Sequence, residues 1–233
     1  MLGGDHTVAA GTWCGVAAAL RPRAVGLLWI DAHMDSHTPQ TSHSGKSHGM
    51  PLASLFGCGD GELPELRMGT LSSRQVCLVG VRSYEPEEAS LLERLGVRVF
   101  FMEEIRRRGL GAVLDEALEI VNRDTAGFGV TIDLDALDPI DAPGVALPVA
   151  GGIRALPLLQ ALASKVSDDR LVALEIAEYC PWRDNEYRTA RLVTELLSAM
   201  LRHRFMLWRT NTAGQLAHRK RSAPVARRYK VRV

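Results

Sequence analysis

Apolar runs too short for helices, each bounded by charged residues or glycines, lie at Val25–Ile30, Gln75–Val79, Val97–Phe101, Phe128–Ile132 and Leu171–Ile176. Such near-continuous apolar segments are the mark of strands buried on both faces. Between them, residues 6–20, 87–95, 111–122, 155–165 and 187–202 repeat apolar side chains at three- and four-residue spacing, which predicts helices. Strands alternating with crossover helices predict an α/β fold, an open and mainly parallel sheet with helices on both faces.

The interval from His33 to Gly61 breaks this rhythm, holding serines, prolines, glycines and histidines with little periodicity. A loop that long inside a compact domain is usually functional. It follows a strand directly, and in open α/β sheets ligands sit beyond the carboxyl ends of the strands. From about Arg209 the pattern is lost in a mixture of polar and basic residues. The chain therefore divides into a catalytic-size domain, 1–208, and an irregular basic tail, 209–233.

Composition narrows the function. A chain of 233 residues with 46% hydrophobic residues suits one such domain. The net charge of +1 conceals an asymmetry: ten of the 28 basic residues lie beyond residue 201, where no acidic residue occurs, so residues 1–201 hold 18 basic against 27 acidic residues, a net −9. An acidic body with a short basic extension argues against a nucleic-acid reader. Cys14, Cys58, Cys77 and Cys180 form no CxxC pair, which indicates neither a zinc knuckle nor a disulfide framework and fits a reducing, cytoplasmic setting. Residues 8–20 are largely apolar but shorter than the roughly 18 to 20 residues a bilayer requires, and no basic residues precede them. No membrane or targeting segment is expected.

Two acidic clusters carry the candidate chemistry. Asp31-Ala-His33-Met-Asp35 leaves the first predicted strand, and continued extended geometry would aim all three polar side chains to one side. Asp133-Leu-Asp135-Ala-Leu-Asp138-Pro ends the fourth, placing Asp133 and Asp135 on one face. Four carboxylates gathered at strand ends repel one another unless cations neutralise them. With His6 and His33 added, the set is four Asp and two His with no thiolate. That composition suits a pair of Mn²⁺ ions better than structural Zn²⁺ or Mg²⁺.

Gly3-Gly4-Asp5-His6, Asp31-Ala-His33-Met-Asp35, Ser44-Gly45-Lys46-Ser47-His48-Gly49 and Asp133-Leu-Asp135-Ala-Leu-Asp138-Pro139 together resemble, in order, the motifs of the arginase family of ureohydrolases. The resemblance runs from Gly3 to about Leu201. It implies a binuclear Mn²⁺ centre held by His6, Asp31, His33, Asp35, Asp133 and Asp135, with Asp31 and Asp135 bridging. It implies hydrolysis of L-arginine to L-ornithine and urea by a hydroxide bridging the two metals, with His48 as proton shuttle and Glu178 holding the guanidinium. Glu175 would lie behind the ligands. For the far end of the substrate, Ser44 matches a carboxylate contact and Glu85 a contact to the α-amino group. His37, Lys46 and Ser83 depart from the family pattern, which replaces two asparagines and an aspartate.

The departures keep agmatine and other guanidino compounds in view as alternative substrates, and a one-zinc deacetylase or an inactive pseudoenzyme as alternative functions. A small guanidino molecule is the expected partner, and a trimer or hexamer of the chain is an assembly the resemblance allows. Family members usually carry about a hundred residues before the Gly-Gly-Asp-His motif, so the expected sheet lacks the amino-terminal edge strands, the Leu171–Ile176 strand is exposed, and His6 lacks the strand that would position it.

Overall fold

The computed structural model describes residues 1–58, 70–166 and 168–201; the basic tail, 209–233, lies outside them. Five parallel strands form one sheet: β1 (Ala24–Ile30), β2 (Val76–Val81), β3 (Arg98–Phe101), β4 (Thr125–Asp133) and β5 (Leu171–Ala177), in the order β3-β2-β1-β4-β5. The chain winds outward from β1 to β3, then returns to place β4 on the other side of β1. Crossovers therefore leave β1 and β4 in opposite directions, and the crevice this opens at their carboxyl ends is where ligands bind in such sheets. The two acidic clusters follow those two strands.

Alternation along β1 divides the core. Leu27 and Trp29 face α1 (Val8–Leu20), α2 (Pro51–Leu55) and α3 (Pro86–Leu95), packing with Ala9, Trp13, Leu52 and Leu92. Leu28 and Ile30 face the opposite layer, made of α4 (Met102–Arg108), α5 (Leu110–Asn122), α6 (Ala155–Ala161) and a helix over residues 188–201. Helices thus cover both faces, as the apolar pattern predicts.

The boundaries differ where local chemistry intervenes. The first helix starts at Val8 rather than residue 6, because residues 5–7 close only three-residue turn bonds, Val8 N to Asp5 O at 3.3 Å and Ala9 N to His6 O at 3.0 Å. Seven-residue α4 is too short to show periodicity, and Gly109 (φ 84°) separates it from α5. The helix expected over 155–165 passes into a π-helical turn at Leu162–Val166. The long loop after β1 contains a short 3₁₀ turn at Ser47–Gly49 and then α2.

Two features set the height of α1 over the sheet. A Cβ on Gly129 of β4 would lie 1.9 Å from the Trp13 ring, so only glycine lets the indole of α1 rest on the strand. Beside β5, Met1–Gly4 run parallel to the strand: Gly3 N donates to Ile176 O (2.9 Å), Ile176 N to Met1 O (3.1 Å) and Glu178 N to Gly4 O (2.8 Å). This corrects the expectation of a bare β5 edge, because the carboxyl half of the strand is paired.

Candidate metal centre

The metal ligands converge, but not by continued extension. Asp31 follows β1 and keeps its sheet bond, N to Val79 O at 3.0 Å. Asp35 then takes a left-handed conformation (φ 49°), a region aspartate tolerates better than most residues. That turn brings its carboxylate back beside Asp31. At β4, Asp133 is the last strand residue, and its carboxylate accepts from Asp135 N at 2.8 Å, closing a 3₁₀ turn over Leu134–Ala136 that swings Asp135 inward.

His6 stands at the centre of the first group. Its Nδ1 lies 3.1 Å from Asp31 Oδ2, 3.0 Å from Asp35 Oδ2 and 3.1 Å from Asp133 Oδ2. The ring stacks on Trp29 with centroids 4.4 Å apart, while Trp29 Nε1 donates to Asp31 Oδ2 at 2.8 Å. With its backbone fixed by Glu178 and its Nε2 against Thr131 Oγ1 at 3.0 Å, His6 is held from four sides. The expectation of a poorly positioned ligand is thereby corrected.

His33 anchors the second group, with Nδ1 at 3.0 Å from Asp135 Oδ2 and 3.7 Å from Asp31 Oδ1. Asp31 belongs to both groups, one carboxylate oxygen facing each histidine. Asp135 belongs only to the second, since its other oxygen accepts from Ala32 N at 3.2 Å. Among the described residues, Asp31 is thus the residue common to both groups.

Electrostatics test whether the donors fit metal ions. Burial alone would depress the His6 pKa, but Asp133, Asp31 and Asp35 outweigh it and hold the ring protonated well above its ordinary value. His33 behaves alike: against burial, Asp135 and Asp31 push it up to about 12. Burial and the Asp31 charge push the Asp35 carboxyl up to about 7. Burial, with the charges of Asp135 and Asp31, raises Asp133, and burial with Asp31 raises Asp135. Buried His6 Nδ1 and Asp35 Oδ2 have no hydrogen-bond partner. Unpartnered atoms aimed at one point, within a set of carboxylates and imidazoles, fit a divalent cation.

The expected substrate residues surround this cluster unequally. Glu178, in a left-handed conformation (φ 65°) just past β5, joins the centre through His6 N. Burial raises its carboxyl, while the His6 N–H and the charge of His48 pull it down, so His48 lies within electrostatic reach of Glu178. His48 is half-buried on the 3₁₀ turn, and the loop returns it to the site by two ties: His37 N to Gly49 O at 2.9 Å, and Ser47 Oγ to Thr7 Oγ1 at 3.2 Å. Ser44 and Lys46 are exposed on the same loop.

His37 and Glu85 meet, which sequence reasoning did not foresee. His37 Nε2 is 3.4 Å from Glu85 Oε2 and 3.6 Å from Glu88 Oε2, and Nδ1 lies 3.1 Å from Thr41 Oγ1. Glu85 and Glu88 are fixed because they form the reciprocal capping box of α3. Three further residues were missed. Trp29 and Thr131 position His6, and period-two alternation marks them: Trp29 lies two residues before Asp31, and Thr131 two before Asp133. Arg82 carries no such signal. Its guanidinium donates to the carbonyls of Gly80, Ala150, Val149, Asp135, Ala136 and Leu137, tying the β2 end to the ligand-bearing turn after β4.

Known proteins share this fold. The Arginase family model matches residues 1–202. An arginase of Brevibacillus brevis is 40% identical over 202 residues, covering 86% of this chain and 67% of that protein. The crystal structure of arginase from Bacillus cereus superposes with a TM-score of 0.81 at 36% identity, covering 85% of this chain and 68% of that one. The crystal structure of Entamoeba histolytica arginase in complex with L-ornithine gives 0.79 at 31% identity, covering 85% and 68%. The chain thus spans about two thirds of the length of these relatives, and with ligand motifs, strand order and sequence in agreement, it belongs to the arginase family and is an amidinohydrolase.

Proposed function

We propose that the chain forms a binuclear Mn²⁺ centre and hydrolyses a guanidino compound, L-arginine first among them, to an amine and urea. The observation that carries this reading is the sharing of Asp31 between two ligand groups, with Glu178 fixed beside them. His6, Asp31, Asp35 and Asp133 would hold one ion, and His33, Asp31 and Asp135 the other. Bound there, the ions supply Lewis acidity and lower the pKa of water at neutral pH.

The remaining steps fall to the chain's own residues. Glu178 pairs its carboxylate with the guanidinium and orients the central carbon toward the cluster. His48 donates the proton that the leaving amine needs, a role open to an imidazole on a half-buried loop. At the far end, Glu85 faces the α-ammonium group, while Ser44, Lys46 and the adjacent His37 receive the carboxylate. The L-ornithine held by the Entamoeba relative is the amine that L-arginine hydrolysis releases, which supports arginine over a guanidino acid. Lys46, offering a cation where the family has an asparagine, favours a substrate with a carboxylate over agmatine, which has none. We place the enzyme in the cytoplasm as a trimer or hexamer, with the domain ending near residue 208.

Urea release from arginine, agmatine and guanidinobutyrate by the Mn²⁺-loaded chain tests the reading. Arginine is the expected best substrate, and a Glu178→Gln variant is expected to lose about a hundredfold or more in kcat/KM. Hydrolysis of none of the three contradicts the reading; preference for agmatine overturns only the substrate.

A further inference from the structure

A further group of metal-ligand atoms lies outside the candidate metal centre, where the long loop after β1 meets the start of α3. His43 Nε2 is 3.6 Å from Glu85 Oε2, and His43, Glu85 and Glu87 each offer one ligand atom within 4.8 Å of the others. His37 Nε2 approaches the same Glu85 oxygen at 3.4 Å and Glu88 Oε2 at 3.6 Å. The two imidazoles come from opposite sides: the His43 side chain is 76% exposed, while His37 is only 8% exposed.

The buried imidazole decides what the group can hold. Thr41 Oγ1 accepts from Thr38 N at 2.9 Å and donates its one hydrogen to Thr38 O at 3.3 Å, so its 3.1 Å contact with His37 Nδ1 uses a hydrogen on that nitrogen. The lone pair of the neutral ring then sits on Nε2, facing two carboxylates. A proton shared between imidazole and carboxylate would draw the two atoms to about 2.7–2.9 Å. Ligand atoms on a four-coordinate Zn²⁺, with bonds of about 2.0–2.2 Å, instead stand about 3.3–3.6 Å apart. Both imidazoles keep this second spacing from Glu85 Oε2. Glu88 is committed to the helix end, where its Oε2 accepts from Glu85 N at 2.9 Å, and Glu87 is exposed in the same first turn.

We infer that His37, His43, Glu85 and Glu87 form a further cation site, selective for Zn²⁺, at the far end of the substrate from the candidate metal centre. Imidazoles and carboxylates without a thiolate make a ligand set that Zn²⁺ accepts, and Zn²⁺ binds such nitrogens more tightly than Mn²⁺ does. An ion seated on Glu85 excludes the α-ammonium group of the substrate from that carboxylate, so zinc inhibits the enzyme by competing with its substrate. The binding stands on the geometry alone, whereas the inhibition rests on the reading of Glu85 as the α-ammonium contact.

Equilibrium dialysis against Zn²⁺, with bound metals counted by atomic absorption, tests the site in the Mn²⁺-loaded wild type and in His43→Ala and Glu87→Gln variants. Both side chains are exposed, so neither change disturbs the core. The wild type is expected to bind one more zinc per chain than His43→Ala, whatever fills the centre at Asp31, and Glu87→Gln to bind that zinc about tenfold more weakly. Equal zinc in wild type and His43→Ala would overturn the inference. Urea release supplies the second readout: zinc is expected to raise the KM of the wild type for arginine, and to do so at least about tenfold less effectively in His43→Ala, whose zinc-free activity is unchanged. Equal inhibition of the two overturns the competition. A wild type that takes up the additional zinc but releases urea from no guanidino compound keeps the site and contradicts the proposed function alone.

Discussion

Asp35 and His33 make the metal-free protein less stable as pH rises, and the stabilisation by bound metal larger. The Asp35 carboxyl, raised by burial and the Asp31 charge to about 7, keeps its proton in the folded chain after an unfolded chain has lost it near the ordinary 3.8. Its contribution to stability is therefore full at low pH and declines as pH rises to about 7. His33, raised to about 12 by Asp135 and Asp31 against burial, contributes fully below its ordinary value of 6.5 and loses that contribution as pH rises through the folded value. Both slopes have the same sign, so the midpoint of thermal unfolding of the metal-free chain should fall between about pH 6 and about pH 9. Metal ions compete with the same protons, so Mn²⁺ affinity rises over that range and the stabilisation by Mn²⁺ should grow. Thermal unfolding with and without Mn²⁺ checks this, and a Mn²⁺-induced rise in midpoint that is the same at both ends of the range would contradict it. The ligands themselves were legible as residues, because two acidic clusters that each end an apolar strand repel one another unless cations neutralise them. The role of Asp135 was not, since which oxygen faces which partner depends on the Ala32 N–H, and sequence spacing does not encode that contact.

At the scale of elements, the site depends on how closely α1 lies on the sheet. His6 stands two residues before α1, whose Trp13 fills the space that Gly129 leaves on β4. Gly129→Ala would force the indole or the helix outward, an overpacking that costs about 1–3 kcal/mol. Because His6 moves with the helix, the variant should also bind Mn²⁺ more weakly, while Gly11→Ala, which meets nothing within 4 Å on the same helix, should do neither. Urea denaturation and a Mn²⁺ titration of both variants would check this, and unchanged metal affinity in a destabilised Gly129→Ala chain would detach His6 from the packing of α1. All five strands were legible from apolar runs, because β1, β2 and β4 are almost wholly buried and the half-buried edge strands β3 and β5 keep the same kind of run. The 3₁₀ turn and α2 within the long loop were not, because their positions follow from contacts such as Leu52 N to Asp35 O at 2.9 Å, not from any period.

For the molecule as a whole, strand order turns two separate motifs into one centre. A sheet in the order β3-β2-β1-β4-β5 makes the ends of β1 and β4 neighbours, which brings residues about a hundred positions apart in sequence to within hydrogen-bond range. The alternation of strands and helices indicated a parallel α/β sheet, while no local pattern encodes the order of its strands. The support lent by residues 1–4 to β5, and through Glu178 to His6, is a long-range effect of the same topology, and no local pattern announces it. Nor does any helix among the described residues have the length and apolarity to cross a membrane. The central claim is that this topology builds a site for two ions joined by Asp31. Electron paramagnetic resonance of the chain during Mn²⁺ titration tests it most directly: the account predicts a spin-coupled pair that saturates at two ions per chain and disappears in Asp31→Asn, whereas one isolated Mn²⁺ per chain, or a coupled pair that survives that substitution, would contradict it.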